Sequence, residues 1–99
     1  MQLPADRQKL ALFCRRNQIR RLSFFGSVLR QDFGPDSDID VLVEFEPGQT
    51  PGLGLIRMQD ELSVLFGGRK VDLVTPRFLS RYFRDEVMRT AEVAFDAAA

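Results

Sequence analysis

The sequence GSVLRQDFGPDSDID, residues 26–40, decides the fold of this chain, and Asp72 in the later segment KVDLVT complements it. Asp38 and Asp40 are separated by one residue, and the apolar run at 41–43 that follows them predicts a strand covered on both faces. Because side chains alternate along a strand, the two aspartates point to the same side. Ionised carboxylates at the start of a buried strand need a compensating charge. The pair therefore indicates a divalent-metal site, since hard cations take oxygen ligands.

The residues before this strand predict a turn that suits a phosphate group. Phe24 and Phe25 are typical of a strand over about 22–25, and Gly26 permits a tight turn. A short helical pattern follows through about Gln31. Backbone amides at the start of such a helix are exposed and favour an anion. A purely structural turn is the alternative interpretation, because glycine turns are common.

Asp72 lies among apolar neighbours in a strand predicted over residues 70–74. A lone aspartate in a strand interior is unfavourable, so its presence requires a partner. That partner is either an arginine in a structural salt bridge or the metal site of Asp38 and Asp40 across the sheet. We expect the second arrangement, which would unite three carboxylates.

The remaining pattern predicts helices around a small sheet. Helices are expected over about residues 5–17, from about Leu55 to a stop at Gly67-Gly68, and over about 79–90. Strands are expected over about 22–25, 38–46, 70–74 and 92–96. The predicted fold class is α/β (α+β), with a small mixed sheet of three to four strands flanked by helices.

The C-terminal third carries three finer expectations. Arginines in and before the last helix would share one face, either as a solvated surface or as a docking surface, and these are Arg77, Arg81 and Arg84. The helix should turn four apolar residues inward, namely Leu79, Phe83, Val87 and Met88. The last strand should place two residues on one face, Val93 and Phe95.

Composition limits the class of protein. The 99 residues include 14 basic and 14 acidic side chains, so overall charge does not favour binding to nucleic acid or to a membrane. We expect a single domain over residues 1–99, with disorder from about residue 97. Cys14 is the only cysteine and there is no histidine, which excludes an internal disulfide and a cysteine-rich zinc site and leaves Cys14 as a core residue. No stretch reaches the roughly 18 apolar residues of a membrane span, so a soluble, cytoplasmic protein is expected.

These motifs together resemble a known family. Gly26-Ser27, then Ser37-Asp38-x-Asp40, then Asp72 are similar to the motif of the nucleotidyltransferase superfamily of the DNA polymerase beta type. The short chain and the segment PGQTPGL at 47–53 look most like the minimal nucleotidyltransferase (MNT) proteins, which are encoded beside HEPN-type toxins as antitoxins. The resemblance covers roughly residues 1 to 95 and implies a polymerase beta-like nucleotidyltransferase core.

The resemblance implies a role for each carboxylate. Asp38 and Asp40 would bridge two Mg²⁺ ions, and Asp72 would complete the catalytic one. Two such ions stabilise both ends of an in-line displacement at phosphorus. Magnesium keeps several waters, so two or three aspartates together with the phosphates of the nucleotide suffice as ligands.

The resemblance also implies the residues that hold the triphosphate of ATP. Gly26 and Ser27 would bind the β- and γ-phosphates through backbone amides and the serine hydroxyl. Arg30 would assist the triphosphate, and Ser37 would support the same site. The chain departs at two positions from the small residues of the family pattern, which concerns how closely a triphosphate approaches the turn: Leu29 and Gln31.

The implied function is that of an antitoxin which transfers AMP from ATP to a tyrosine hydroxyl of a partner HEPN ribonuclease. A further domain that would present an acceptor does not fit into 99 residues, so we expect the acceptor to come from the partner. The chain is expected to form a homo-oligomer or a hetero-oligomer with the toxin. Self-modification at Tyr82 is a weaker option. Two alternatives stay open: an antitoxin that neutralises by binding alone, and a nucleotidyltransferase with an RNA or small-molecule acceptor. Direct binding to nucleic acid is otherwise not expected.

Overall fold

The computed structural model describes residues 6–29, 34, 37–49 and 52–98. Their strands are β1 (Ile19–Phe25), β2 (Ile39–Phe45), β3 (Val71–Val74) and β4 (Glu92–Asp96). They form one sheet in the order β3-β2-β1-β4. Strands β2 and β3 are parallel, and the other two pairs are antiparallel. The predicted mixed sheet flanked by helices is confirmed, with four strands. The elements in chain order are α1 (Arg7–Arg16), β1 (Ile19–Phe25), a 3-10 turn (Gly26–Leu29), β2 (Ile39–Phe45), α2 (Gly54–Leu65), β3 (Val71–Val74), a second 3-10 turn (Pro76–Phe78), α3 (Arg81–Thr90) and β4 (Glu92–Asp96).

Helices α1 and α2 lie on the same face of the sheet and enclose its main core. Helix α1 begins two residues later than predicted because the Asp6 side chain caps it, accepting the backbone N–H of Gln8 at 2.7 Å. Burying these apolar side chains supplies most of the driving force for folding, at roughly 25 cal/mol per Å². The buried members of this main core are Leu10, Phe13, Cys14, Ile19, Leu22, Phe24, Ile39, Val41, Val43, Met58, Leu62, Phe66, Val71 and Leu73.

The end of α2 sets the start of β3. Gly67 and Gly68 both have positive φ, at 76° and 87°. The N–H of Gly68 donates to the carbonyl of Ser63 at 2.8 Å, and that of Gly67 to the carbonyl of Val64 at 3.1 Å, which is the Schellman arrangement. The predicted helix stop at these glycines is therefore confirmed. It turns the chain back so that β3 can lie parallel to β2, as a helical crossover allows.

Helix α3 covers part of the opposite face, with a smaller apolar cluster. The buried members of that cluster are Phe25, Leu42, Leu79 and Val87. The prediction that Phe83 and Met88 point inward is wrong, since they are 49% and 41% exposed. The sheet face beneath α3 carries polar side chains as well as apolar ones, so it offers too little apolar surface to cover the whole helix stripe.

Arg84 anchors α3 to the turn that precedes it. Its Nε donates to the carbonyl of Pro76 at 2.8 Å, and Nη2 donates to the carbonyl of Leu79 at 3.2 Å. Arg84 is therefore half-buried against backbone, whereas Arg77 and Arg81 are exposed. Of the three arginines that were expected to share one face, only Arg77 and Arg81 are therefore exposed to solvent.

Strand β4 contains an irregularity that separates Val93 from Phe95. Leu22 pairs with Phe95, but the next residue, Ser23, pairs with Val93, so β4 has one extra residue at this point. A bulge of this kind shifts the alternation of side chains by one position. The prediction that Val93 and Phe95 share a face is therefore wrong, because Phe95 packs against the main core and Val93 is 52% exposed.

Cys14 is fully buried in the main core, in agreement with its predicted structural role. Burial raises the pKa of its thiol to about 12. A thiol in this state is neither nucleophilic nor a ready metal ligand. In the parts of the chain that are described, no helix has the length and apolar character needed to cross a membrane.

Candidate active site

Asp40 and Asp72 lie side by side on the two parallel strands. The register pairs Asp40 with Asp72, between the pairs Ile39 with Val71 and Val41 with Leu73. The flanking pairs belong to the main core, so alternation places both aspartates on the other face, where they are half-buried. Neighbouring strands are about 4.8 Å apart, so one cation could contact both carboxylates.

Asp38 lies two residues before Asp40, immediately outside β2. The backbone N–H of Ile39 donates to the carbonyl of Lys70 at 2.9 Å, which fixes the start of β2 against the approach to β3. The Nζ atom of Lys70 is 3.7 Å from a carboxylate oxygen of Asp38. Lys70 was not singled out from the sequence. Its spacing from Asp72 equals that of Asp38 from Asp40, so parallel pairing of the two aspartates could have revealed it.

Gly26 packs its backbone directly against Asp40. Phe25 is the cross-strand neighbour of Asp40. Gly26 follows Phe25 directly, so the turn begins beside the Asp40 carboxylate. Gly26 has a φ of 74°, and a Cβ atom there would collide with the Oδ2 atom of Asp40 and lie 3.3 Å from its Cγ. Only glycine leaves space for the carboxylate here. The structure thus brings the turn next to the Asp40 carboxylate. The order of these segments in the sequence does not by itself require this contact.

The loop before Asp38 is held by Ser37 and Arg69. The hydroxyl of Ser37 accepts the backbone N–H of Gly34 at 3.1 Å, and the N–H of Ser37 donates to the carbonyl of Gly34 at 3.1 Å. The Nη2 atom of Arg69 donates to the carbonyl of Ser37 at 3.0 Å and also to that of Gly34. Arg69 is fixed in turn, because the hydroxyl of Ser63 donates to its carbonyl at 2.6 Å.

In the structure Ser37 is a loop residue that is hydrogen-bonded to Gly34 and precedes Asp38. Its support of the site stays a prediction. Arg69 was missed by the sequence analysis, because a single arginine after a glycine pair gives no signal of a long-range contact. Arg30 and the side chain of Ser27 lie outside the described residues. The backbone of Ser27 belongs to the 3-10 turn.

The carboxylates fit a hard divalent cation by their chemistry. Among the described residues, no three His, Cys, Asp or Glu side chains form a ready-made metal site. Magnesium does not require one, because it retains waters and completes its coordination with phosphate oxygens of a nucleotide. Asp40 and Asp72 would supply adjacent oxygen ligands, and Asp38 lies two residues before Asp40 in the chain. That these three aspartates hold a metal stays a prediction.

Comparison with known proteins gives consistent matches over nearly the whole chain. A model of the nucleotidyltransferase domain family matches residues 7–94. A Methanocaldococcus jannaschii protein named as a protein adenylyltransferase is 31% identical over 91 residues, which are 92% of this chain and 96% of that protein. The protein adenylyltransferase MntA of Thermococcus cleftensis is 38% identical over 72 residues, or 72% of this chain and 70% of that protein.

Solved structures agree on the fold. One described as a minimal nucleotidyltransferase has a TM-score of 0.71 and 39% identity, and the match covers 86% of this chain and 85% of that one. A toxin-antitoxin structure with AMP-PNP has a TM-score of 0.74 at 20% identity, covering 92% of this chain and 73% of that one, and it supports the fold alone. The resemblance to minimal nucleotidyltransferases seen in the sequence is confirmed.

Proposed function

We propose that this chain is an Mg²⁺-dependent protein adenylyltransferase and antitoxin. The chain belongs to the nucleotidyltransferase domain family and is a nucleotidyltransferase. Its substrate would be ATP, and its acceptor a tyrosine hydroxyl on a HEPN-type ribonuclease toxin. Relatives named protein adenylyltransferase support the reaction. Toxin-antitoxin assemblies with the same fold support the partner.

The observation that carries this proposal is the union of Gly26, Asp40 and Asp72. The turn backbone contacts the Asp40 carboxylate, and Asp40 stands in register with Asp72. The phosphate-binding turn and the metal-binding carboxylates would therefore be in direct contact. This proximity is what transfer of a nucleotidyl group requires, because the triphosphate and the metals must meet at the α-phosphorus.

The chemistry assigns a role to each group. Asp38, Asp40 and Asp72 would hold magnesium, which supplies Lewis-acid stabilisation of the charge that develops on the phosphoryl oxygens. The backbone of the Gly26 turn would orient the β- and γ-phosphates. The tyrosine oxygen attacks the α-phosphorus and its hydroxyl proton is released to water. The bond between the α-phosphorus and the α,β-bridging oxygen breaks, and pyrophosphate leaves with that oxygen. Arg69 and Ser37 fix the loop from which Asp38 extends.

The acceptor is assigned to a partner because the described residues form an open sheet face rather than an enclosed two-substrate site. Alignment of an acceptor hydroxyl by complex formation can be worth roughly 7 kcal/mol or more. The isolated chain should therefore bind ATP weakly and modify little. A HEPN-type partner should raise the rate of modification strongly.

The test is to incubate the chain with Mg²⁺, α-labelled ATP and the product of the neighbouring gene, which the proposal expects to be a HEPN-type protein. Label on the partner that depends on Mg²⁺ and disappears with Asp40→Asn would support the proposal, and mass spectrometry would locate AMP on tyrosine. A tight complex without label would instead indicate an antitoxin that acts by binding alone. Label on RNA or on a small molecule in parallel reactions would indicate a different acceptor. Label on Tyr82 would indicate self-modification.

A further inference from the structure

A cavity of about 460 Å³ lies at the carboxyl ends of the parallel strands β2 and β3. The described residues that line it come from the end of β2, from the start of α2 and from the turn at 75–78 that follows β3. Most of the lining is apolar, and the volume is within the range of about 300 to 1,000 Å³ that is typical of binding sites. Asp40 and Asp72 lie near the other ends of the same strands, so the cavity is distinct from the proposed metal site.

Large apolar side chains around this cavity are open to solvent. Phe78 belongs to the lining and is 73% exposed. Leu53, which lies in the chain between the lining residues Gly52 and Leu55, is 88% exposed. Ile56 follows Leu55 and is exposed as well. Single exposed apolar side chains are common, but a group of them around an apolar concavity is typical of an interaction surface.

The turn that carries Phe78 is held in a fixed position by Arg84. The Nε atom of Arg84 donates to the carbonyl of Pro76 at 2.8 Å, and Nη2 donates to the carbonyl of Leu79 at 3.2 Å. The N–H of Phe78 donates to the carbonyl of Thr75 at 3.0 Å. Because the backbone beneath the ring is already ordered, little conformational entropy is lost when the ring binds a partner.

The charge around the cavity is positive. Glu44 lines it, but its carboxylate is ion-paired with Arg21 at 3.5 Å. Arg77 also lines the cavity, and it is exposed, as is Arg81 at the start of α3. Neither of these two arginines forms an ion pair with another described residue. A two-fold pairing of two copies would bring the same positive charge to both sides, so an acidic surface fits better than a second copy.

We propose that this cavity docks the protein to which AMP is transferred, through an apolar side chain of that partner flanked by acidic residues. The proposal rests on the proposed function, which assigns the acceptor to a partner. Glu44 follows Asp40 by four residues on the same face of β2, which places the cavity about 13 Å from that carboxylate at roughly 3.3 Å per residue. A standard interface buries about 800 Å² on each protein, a patch roughly 30 Å across. One partner seated in the cavity therefore also covers the carboxylate face.

The experiment measures the kinetics with which the product of the neighbouring gene binds the full chain, by surface plasmon resonance. Phe78→Ala should weaken the complex about tenfold or more, mainly through faster dissociation, because aromatic side chains in pockets carry much of the binding energy. Leu53→Ser should weaken it in the same direction. Arg77→Glu should slow association about fivefold at low salt and have little effect near 1 M salt, where the screening length is about 3 Å.

The matched controls lie on α1, away from the cavity. Leu12→Ala shortens an apolar side chain that is 61% exposed, and Arg7→Glu reverses an exposed arginine. Neither should change the affinity for the partner, and no variant should change the affinity for Mg²⁺-ATP in calorimetry. Transfer by Phe78→Ala should fall at low partner concentration and recover at saturating partner, since Phe78 docks the partner without contacting the reacting atoms.

Two results would overturn the docking surface while the proposed function stands. One is unchanged binding and modification of the gene product by Phe78→Ala, Leu53→Ser and Arg77→Glu. The other is a dimer of the chain alone in analytical ultracentrifugation that Phe78→Ala dissociates, because a second copy would then occupy the cavity.

The remaining results separate docking from the reaction. A complex that forms without transfer of label and weakens in Phe78→Ala supports the docking surface, although the proposed reaction fails. If the unaltered chain neither binds nor labels the gene product, the proposed function fails and the docking surface fails with it.

Discussion

The two faces of the sheet are built from the same strands but carry opposite chemistry. Among the described residues, the face under α1 and α2 belongs to a core of fourteen buried residues, whereas the face under α3 has four. The second face carries instead Asp40, Asp72 and the ion pairs of Arg21, at 3.5 Å from both Glu44 and Asp96. One face therefore supplies most of the stability, and the other holds the carboxylates and ion pairs.

The largest effect should come from a cavity in the main core. Phe24 is fully buried and packs against Phe66, with ring centroids 5.8 Å apart. Phe24→Ala should lower the free energy of unfolding by about 3 to 5 kcal/mol. Urea denaturation measures this, and alkylation of Cys14, whose raised pKa and burial protect it, should accelerate in parallel.

The control for that change is Phe78→Ala, on the side of the second face. Phe78 is 73% exposed, so its removal should change stability by no more than about 0.5 kcal/mol. Similar losses in the two variants would show that the faces do not divide the stability as described.

A smaller effect, mainly on chemistry, is expected from a single methyl group in the turn. Gly26→Ala adds a Cβ that collides with the Asp40 carboxylate, so transfer should fall by more than about tenfold, at roughly 1.4 kcal/mol per factor of ten. Ser27→Ala should be milder, since it removes one hydrogen bond to a charged group. The measurements are initial rates of AMP transfer and ATP affinity by calorimetry.

Gly48→Ala separates the collision from the backbone strain. Gly48 also has a positive φ, at 81°, but an added Cβ would meet no atom within 4 Å. Both alanines should lose about 1 kcal/mol of stability from the left-handed conformation. Only Gly26→Ala should lose transfer. Equal transfer in the two variants would remove Gly26 from the site.

A smaller loss of transfer is expected at Arg69, whose side chain holds the loop before Asp38. Arg69→Gln removes the donors to the Ser37 and Gly34 carbonyls, so the Asp38 loop should lose its fixed position. We expect transfer to fall roughly tenfold, a net loss of 1 to 2 kcal/mol, and to require more Mg²⁺. A titration of rate against Mg²⁺ measures this. A rate loss with an unchanged Mg²⁺ midpoint would mean that Arg69 does not act through Asp38.

The smallest effect is expected at Lys70. The ion pair with Asp38 spans 3.7 Å, and the Lys70 side chain is 73% exposed, so it is worth little in water. Lys70→Gln should change stability by less than about 0.5 kcal/mol and transfer by no more than about twofold. A severe loss of transfer would assign Lys70 to the nucleotide site rather than to the support of Asp38.

The sequence predicts the strand that carries Asp40, the glycine stop of α2 and the mixed sheet, because these depend on local alternation and on backbone conformation. It does not predict the bulge in β4, since one extra residue leaves no mark on an alternating pattern as short as five residues. Nor does it predict the exposure of Phe83. A helical stripe shows which residues share a side but not how much apolar surface the sheet offers beneath them.

Contacts between distant segments are the remaining gap. The collision between a Cβ at Gly26 and Asp40, and the hydrogen bonds of Arg69 to the loop before Asp38, both join segments separated in the chain. Hydrophobic periodicity contains no information on such contacts. They are, however, the features that hold the Gly26 turn beside Asp40 and fix the loop before Asp38.

The most direct test of the account changes two consecutive residues of β2 that face opposite ways. Asp40→Asn should abolish AMP transfer to the partner, with a loss of more than about 100-fold, while the melting temperature without Mg²⁺ changes little because the main core lies on the other face of the sheet. Val41→Ala, at a fully buried position, should lose about 2 kcal/mol of stability yet transfer AMP normally at temperatures where it is folded. If Asp40→Asn instead lowered the melting temperature clearly and kept its activity, the carboxylate face would be structural and the central claim would be contradicted.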